Sequence, residues 1–72
     1  MRQPLLLKLG QRIRELRKAK GLSQEELAQL TGLHRNYIGG VERGERNVSF
    51  VNLALLAKAL STSISEFLEG IE

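Results

Sequence analysis

Apolar residues recur along the 72-residue chain at three- and four-residue spacing, and no stretch alternates with a period of two. The pattern predicts helices throughout and no strands. Leu9, Ile13 and Leu16 set the inward stripe of a first helix running from about Pro4 or Leu5 to Lys20, with Pro4 suited to its first turn and Gly21 ending it. Ser23 followed three residues later by Glu26 is the signature of a capping box. The helix it opens carries Leu27, Ala28 and Leu30 on one side. Gly32 then stands where the chain must leave that helix in a left-handed conformation. Leu33 turns inward, and a third helix starts near His34 or Arg35, buries Ile38 and Val41, and ends at Gly44.

After a loop over Gly44–Val48, Ser49 caps a fourth helix, about Phe50–Leu60. Its inward face is expected to be Leu53, Leu56, Ala57 and Leu60, with Phe50 at its start. Ser63 and Glu66 form a second capping box, opening a fifth helix over about Ile64–Gly70. The expectation is an all-α, compact five-helix domain occupying residues 1–72. Two short helices around the Gly32 turn are a helix-turn-helix, whose second helix can lie in the DNA major groove.

The matching segments RIRELRKAKGLSQEELA (Arg12–Ala28), TGL (Thr31–Leu33), YI (Tyr37–Ile38), VERGERNVS (Val41–Ser49) and LAKAL (Leu56–Leu60) resemble the Cro/C1-type (XRE family) helix-turn-helix domain. The resemblance covers roughly residues 9–69. It implies a lambda-repressor-like fold. The small size and the segment HRNYIGGVERGERNVSFVN look most like controller proteins of restriction–modification systems.

Charge sharpens this picture. The net charge is +3, but residues 1–46 hold ten basic groups against five Glu, whereas residues 47–72 hold only Lys58 against Glu66, Glu69 and Glu72. A basic part and an acidic end fit one face for a polyanion and another for something else.

On a recognition helix, the N-terminal turn points into the groove. Arg35 can donate twice to guanine O6 and N7, and Asn36 can pair with adenine N6 and N7. His34 is a third candidate for base contact, with helix capping, a phosphate contact or plain solvation as its alternatives. The resemblance implies phosphate contacts from Gln24 at the start of the second helix and from Arg43, Arg46 and Asn47 after the third. Ser23 joins them unless capping alone explains it, Tyr37 can offer its hydroxyl to a phosphate, and Arg12 on the first helix is a further candidate. The resemblance also implies an ion pair between Arg17 and Glu42 that orients the third helix. Gly39 and Gly40 stand where the family usually has polar side chains. They are either tolerated drift or a way for the helix to sit closer to DNA.

Val51 and Leu55 lie on a face of the fourth helix different from the inward one, and the fifth adds Phe67, Leu68 and Ile71. Excess apolar surface of this kind marks a partner. A homodimer through Val51, Leu55, Phe67, Leu68 and Ile71 is expected, with Leu5 and Leu6 covering part of this surface as the alternative. Such a dimer would read a near-palindromic operator on double-stranded DNA, two dimers to one operator, with RNA polymerase as a further partner. A protein-interaction module of the antitoxin kind and a phage-type repressor are the competing functional readings.

Several classes of chemistry are excluded. The chain has one His, no Cys and no Asp, so it cannot form an HExxH zinc site, a Ser–His–Asp triad or a disulfide. No cofactor or metal is expected and no catalytic residue can be named. The leading segment MRQPLLLKLG is too short in apolar run for a secretory signal, so a cytoplasmic protein without membrane association is expected.

Overall fold

A computed structural model describes residues 4–71. Among them run five helices: α1 (Pro4–Ala19), α2 (Gln24–Thr31), α3 (Arg35–Glu42), α4 (Phe50–Ala59) and α5 (Ile64–Leu68). No strand occurs among the described residues. α1 packs on α3 and α5, α2 on α3 and α4, and α4 on α5. Ile13, Leu27, Ile38, Val41, Leu56 and Phe67 are fully buried where these helices meet.

Local chemistry sets the ends of the elements. The Ser23 hydroxyl accepts from Glu26 N–H at 3.0 Å, and the Glu26 carboxylate accepts from Ser23 N–H at 2.8 Å, which closes the box on α2. The bond from the Ser23 backbone, and then that involving its hydroxyl, hold the Glu26 carboxyl below its ordinary range. Gly32, at φ 76°, turns its N–H onto Ala28 O and stops α2. The Thr31 hydroxyl donates to Leu27 O and accepts from Leu33 N–H, tying the helix end to the turn. Ser49 caps α4 through Asn52 N–H. Ser63 caps α5 through Glu66 N–H, but this is only half of the expected box, with no reciprocal bond from the Glu66 carboxylate.

Three expectations need correction. Phe50 points outward, 74% exposed, because the inward side of α4 is already filled by Leu53, Leu56, Ala57 and Leu60. Phe67 is 0% exposed and is a central core side chain, so it is withdrawn from the proposed dimer surface. In a domain this small, one large aromatic contributes a substantial share of the core. Helix α5 ends at Leu68, short of Gly70. Its end is held by Arg12, whose guanidinium donates to Glu66 O at 2.6 Å and Glu69 O at 2.9 Å.

Two features fix α3 against α1. Gly10 is buried, and a Cβ there would collide with the carbonyl oxygen of Val41 and stand 2.7 Å from that of Glu42. Only a residue without a side chain allows this approach. Arg17 and Glu42, both buried, form a two-bonded ion pair: Nε to Oε2 at 2.7 Å and Nη2 to Oε1 at 2.9 Å. Nη1 of Arg17 donates to Leu22 O at 2.8 Å, and Gln24 Nε2 donates to Glu42 Oε1 at 3.0 Å. The bonds to Glu42 hold the Arg17 guanidinium even more firmly protonated than usual.

Replacing Gly10 by alanine is expected to cost about 2 kcal/mol, although alanine is the better helix former, because the added methyl meets backbone that cannot move alone. Thermal denaturation of Gly10→Ala checks this; an unchanged melting temperature would show that α1 and α3 do not approach so closely. Glu42→Ala strands a buried guanidinium and is expected to cost roughly 3 kcal/mol, read as a lower urea midpoint at an unchanged slope.

Candidate nucleic-acid interface

The first turn of α3 is presented by the α2–Gly32–α3 unit, whose rear is held by the Arg17–Glu42 pair. His34, Arg35 and Asn36 are exposed there, and none makes a side-chain hydrogen bond with the described residues. His34 occupies the N-cap position, but its ring caps nothing, so of its alternatives capping is removed. A guanidinium and a carboxamide on consecutive residues, both without internal partners, keep their full donor and acceptor capacity for a ligand. The open N–H groups of the helix start lie beside them.

The candidates for phosphate contact divide into three groups. Arg46 and Asn47 are exposed, with no side-chain hydrogen bond to the described residues. Arg43 is also exposed, and its Nε lies 3.1 Å from the Glu45 carboxylate, an exposed pair that contributes little and is readily exchanged for another anion.

Ser23, Gln24 and Tyr37 have part of their hydrogen-bonding capacity already used. The Ser23 hydroxyl accepts the cap bond from Glu26 N–H and is also bonded to the Glu26 carboxylate. Gln24 turns its Nε2 inward to Glu42. The Tyr37 hydroxyl donates to Asn47 O at 3.4 Å and accepts from Asn52 Nδ2 at 3.1 Å. Tyr37 therefore joins α3 to the loop and to the first turn of α4.

Arg12 is the third group by itself. Its guanidinium is engaged by the end of α5, so the expectation of a DNA contact from Arg12 is corrected: it is a structural cap.

Asn52 was not visible from the sequence as part of this surface. It lines one hollow with Leu33, His34, Asn36, Tyr37 and Arg46. Its only sequence signal is its place three residues after the Ser49 cap, which puts it in the first turn of α4. Beside Gly39 lie the side-chain ends of Arg43 and Gln24, and beside Gly40 lies the stem of Arg46, so a group that approaches either glycine has first to displace a side chain.

A second surface lies on α4 and beyond. Val51 is 67% exposed, and Leu55 and Leu68 are also exposed, while Ile71 is half-buried against the core. Phe50 adds its ring to the exposed apolar set of α4. Of the two N-terminal leucines named as alternative cover, Leu5 is itself exposed and Leu6 is half-buried.

Comparison with known proteins places these features in a family. The helix-turn-helix family model HTH_3 matches residues 13–67. The control protein C.SmaI of Serratia marcescens is 53% identical over 60 residues, spanning 83% of this chain and 71% of its own. The crystal structure of the restriction–modification controller protein C.AhdI from Aeromonas hydrophila is 64% identical and superposes with a TM-score of 0.84, covering 86% of this chain and 94% of that one. The restriction–modification controller protein C.Esp1396I, seen as a tetramer in complex with its natural 35-base-pair operator, is 39% identical with a TM-score of 0.84, covering 96% and 91%. On the model match and on these likenesses together, the chain belongs to the HTH_3 helix-turn-helix family.

Proposed function

We propose that this chain is a DNA-binding transcriptional regulator that controls a restriction–modification operon, including its own gene. The observation that carries this reading is the first turn of α3. Arg35 and Asn36 stand there without side-chain hydrogen-bond partners among the described residues, on a helix held from behind by Arg17 and Glu42. Phosphate contacts give register and affinity, and base-edge contacts give sequence. Arg43, Arg46 and Asn47 flank the reading turn for the first task; Arg35 and Asn36, with His34 beside them, serve the second. Ser23 and Tyr37 offer hydroxyls at the edges, and Gln24 can reach a phosphate by exchanging its bond to Glu42.

The regulator acts as a homodimer. The exposed Val51, Leu55 and Leu68, with Phe50 and the half-buried Ile71 at the edge, are the face for a second copy. An isologous pairing through α4 places two reading helices at half-sites one helical turn apart, so the operator is near-palindromic. The tetrameric complex of the related C.Esp1396I supports two dimers on one operator. Occupancy of such a promoter blocks RNA polymerase at one site and recruits it at another. The matched relatives are regulators, and no feature of the chain favours an antitoxin-like module or a phage-type repressor over this reading. No described helix is long and apolar enough to cross a membrane.

In vitro selection from random duplexes is expected to return a two-fold symmetric consensus. Arg35→Ala should weaken binding to it by about tenfold or more and relax the preference at one position per half-site. A consensus without symmetry, or affinity that disappears with moderate salt, would leave only a basic surface. Leu55→Glu should shift the protein from dimer to monomer in sedimentation at tens of micromolar. A wild type that is monomeric there would remove the proposed interface.

A further inference from the structure

The recognition helix carries glycine at two consecutive positions in its middle, where glycine is the poorest helix former after proline. The two positions differ in what they face. A Cβ on Gly39 would stand 3.0 Å from Nη1 of Arg43 and 3.4 Å from Oε1 of Gln24. Nη1 is the far end of a flexible, exposed side chain, free to swing aside. A Cβ on Gly40 would stand 2.8 Å from Cγ of Arg46 and 3.6 Å from its Nε. There the aliphatic stem itself lies across the helix backbone and cannot give way without being lifted off.

The chain after α3 enforces this placement. Glu45 N–H donates to Gly40 O at 2.9 Å, and Gly44 N–H donates to Val41 O at 3.0 Å, so the loop folds back over the end of the helix. Arg46 leaves that loop and runs back along α3. Gly40 lies one turn beyond Asn36 on the same face of the helix. The hollow that Arg46 lines is also lined by Asn36, Tyr37 and Asn52.

We propose that Gly40 is a positioning residue: its missing side chain forms a saddle on the recognition helix that seats the stem of Arg46 and delivers its guanidinium beside Asn36. The inference rests on the DNA-binding reading above and adds to it the means by which a loop arginine is aimed. The helix gives up intrinsic stability at Gly40 for the orientation of another residue's charge.

The test uses a fluorescein-labelled duplex carrying the consensus that the wild-type protein selects. Gly40→Ala should melt at the wild-type temperature or a few degrees higher, since alanine favours the helix, yet bind the duplex about tenfold more weakly, the loss expected for one misdirected arginine contact. Gly39→Ala should bind within about twofold of wild type. In an Arg46→Ala background, Gly40→Ala should change affinity no further, because both substitutions remove one and the same contact. Unchanged affinity of Gly40→Ala would overturn the proposal. So would an equal loss in the Arg46→Ala background, which would mean that DNA meets the glycine directly, or an unfolded Gly40→Ala, since the added methyl meets only a side chain. In the free protein, nuclear Overhauser contacts between Gly40 Hα and the Arg46 stem are expected. Their absence would overturn the saddle without reference to DNA. Failure of the wild type to select any duplex would instead contradict the DNA-binding reading itself.

Discussion

The buried pair of Arg17 and Glu42 is the constraint on which the reading surface depends. An eight-residue helix with two central glycines has no stability of its own in water. Its orientation comes from what holds it: Ile38 and Val41 in the core, the close seat at Gly10, and Glu42 gripped through both of its carboxylate oxygens. The net contribution of such a pair to stability is small, because desolvating two charges offsets most of their attraction. Its effect is directional. A guanidinium fork accepts a carboxylate in one plane, whereas apolar contacts alone would let α3 roll. Gln24 extends the grip to α2, so both helices of the DNA-binding unit are referred to the same buried carboxylate.

Around that fixed centre, polar groups are divided between holding and reading. Ser23, Glu26, Ser49 and Ser63 are used at helix ends, Arg12 closes the end of α5, and Tyr37 with Asn52 braces α3 against α4. Arg35, Asn36 and Arg46 are left without side-chain hydrogen-bond partners among the described residues at one surface. The small core has limited reserve, and the proposed pairing through the apolar side chains exposed on α4 would add to the burial. In this account association and DNA reading reinforce each other, since a dimer both stabilises the fold and sets the spacing of the two reading helices.

What could be read from the sequence follows from how local each cause is. The Ser23–Glu26 box, the Gly32 turn and the Ser49 cap are contacts over three or four residues, and residue type and spacing suffice to identify them. Phe50 and Phe67 show the limit. Both sit on apolar-rich helices, yet which one fills the core depends on how α4 is turned against α2 and α5 against α1, and periodicity over five or ten residues does not determine that. Arg12 has the composition of a DNA contact, and only the nearness of the α5 carbonyls reveals it as a cap. Gly10 had no local signal at all: its reason is a pair of carbonyls at the far end of another helix. The Arg17–Glu42 contact was reachable only through family resemblance, since nothing in the spacing of two residues on different helices requires them to meet.

Native-state hydrogen exchange tests the central claim most directly, by comparing amides of Ile38–Val41 in α3 with those of Ile13–Leu16 in α1 in the free protein. If α3 is locked to α1 as described, both groups exchange only through global opening, with the same free energy and the same dependence on denaturant. If the α3 amides exchange at markedly lower free energy and without denaturant dependence, the helix moves on its own, and the buried pair does not fix the reading surface.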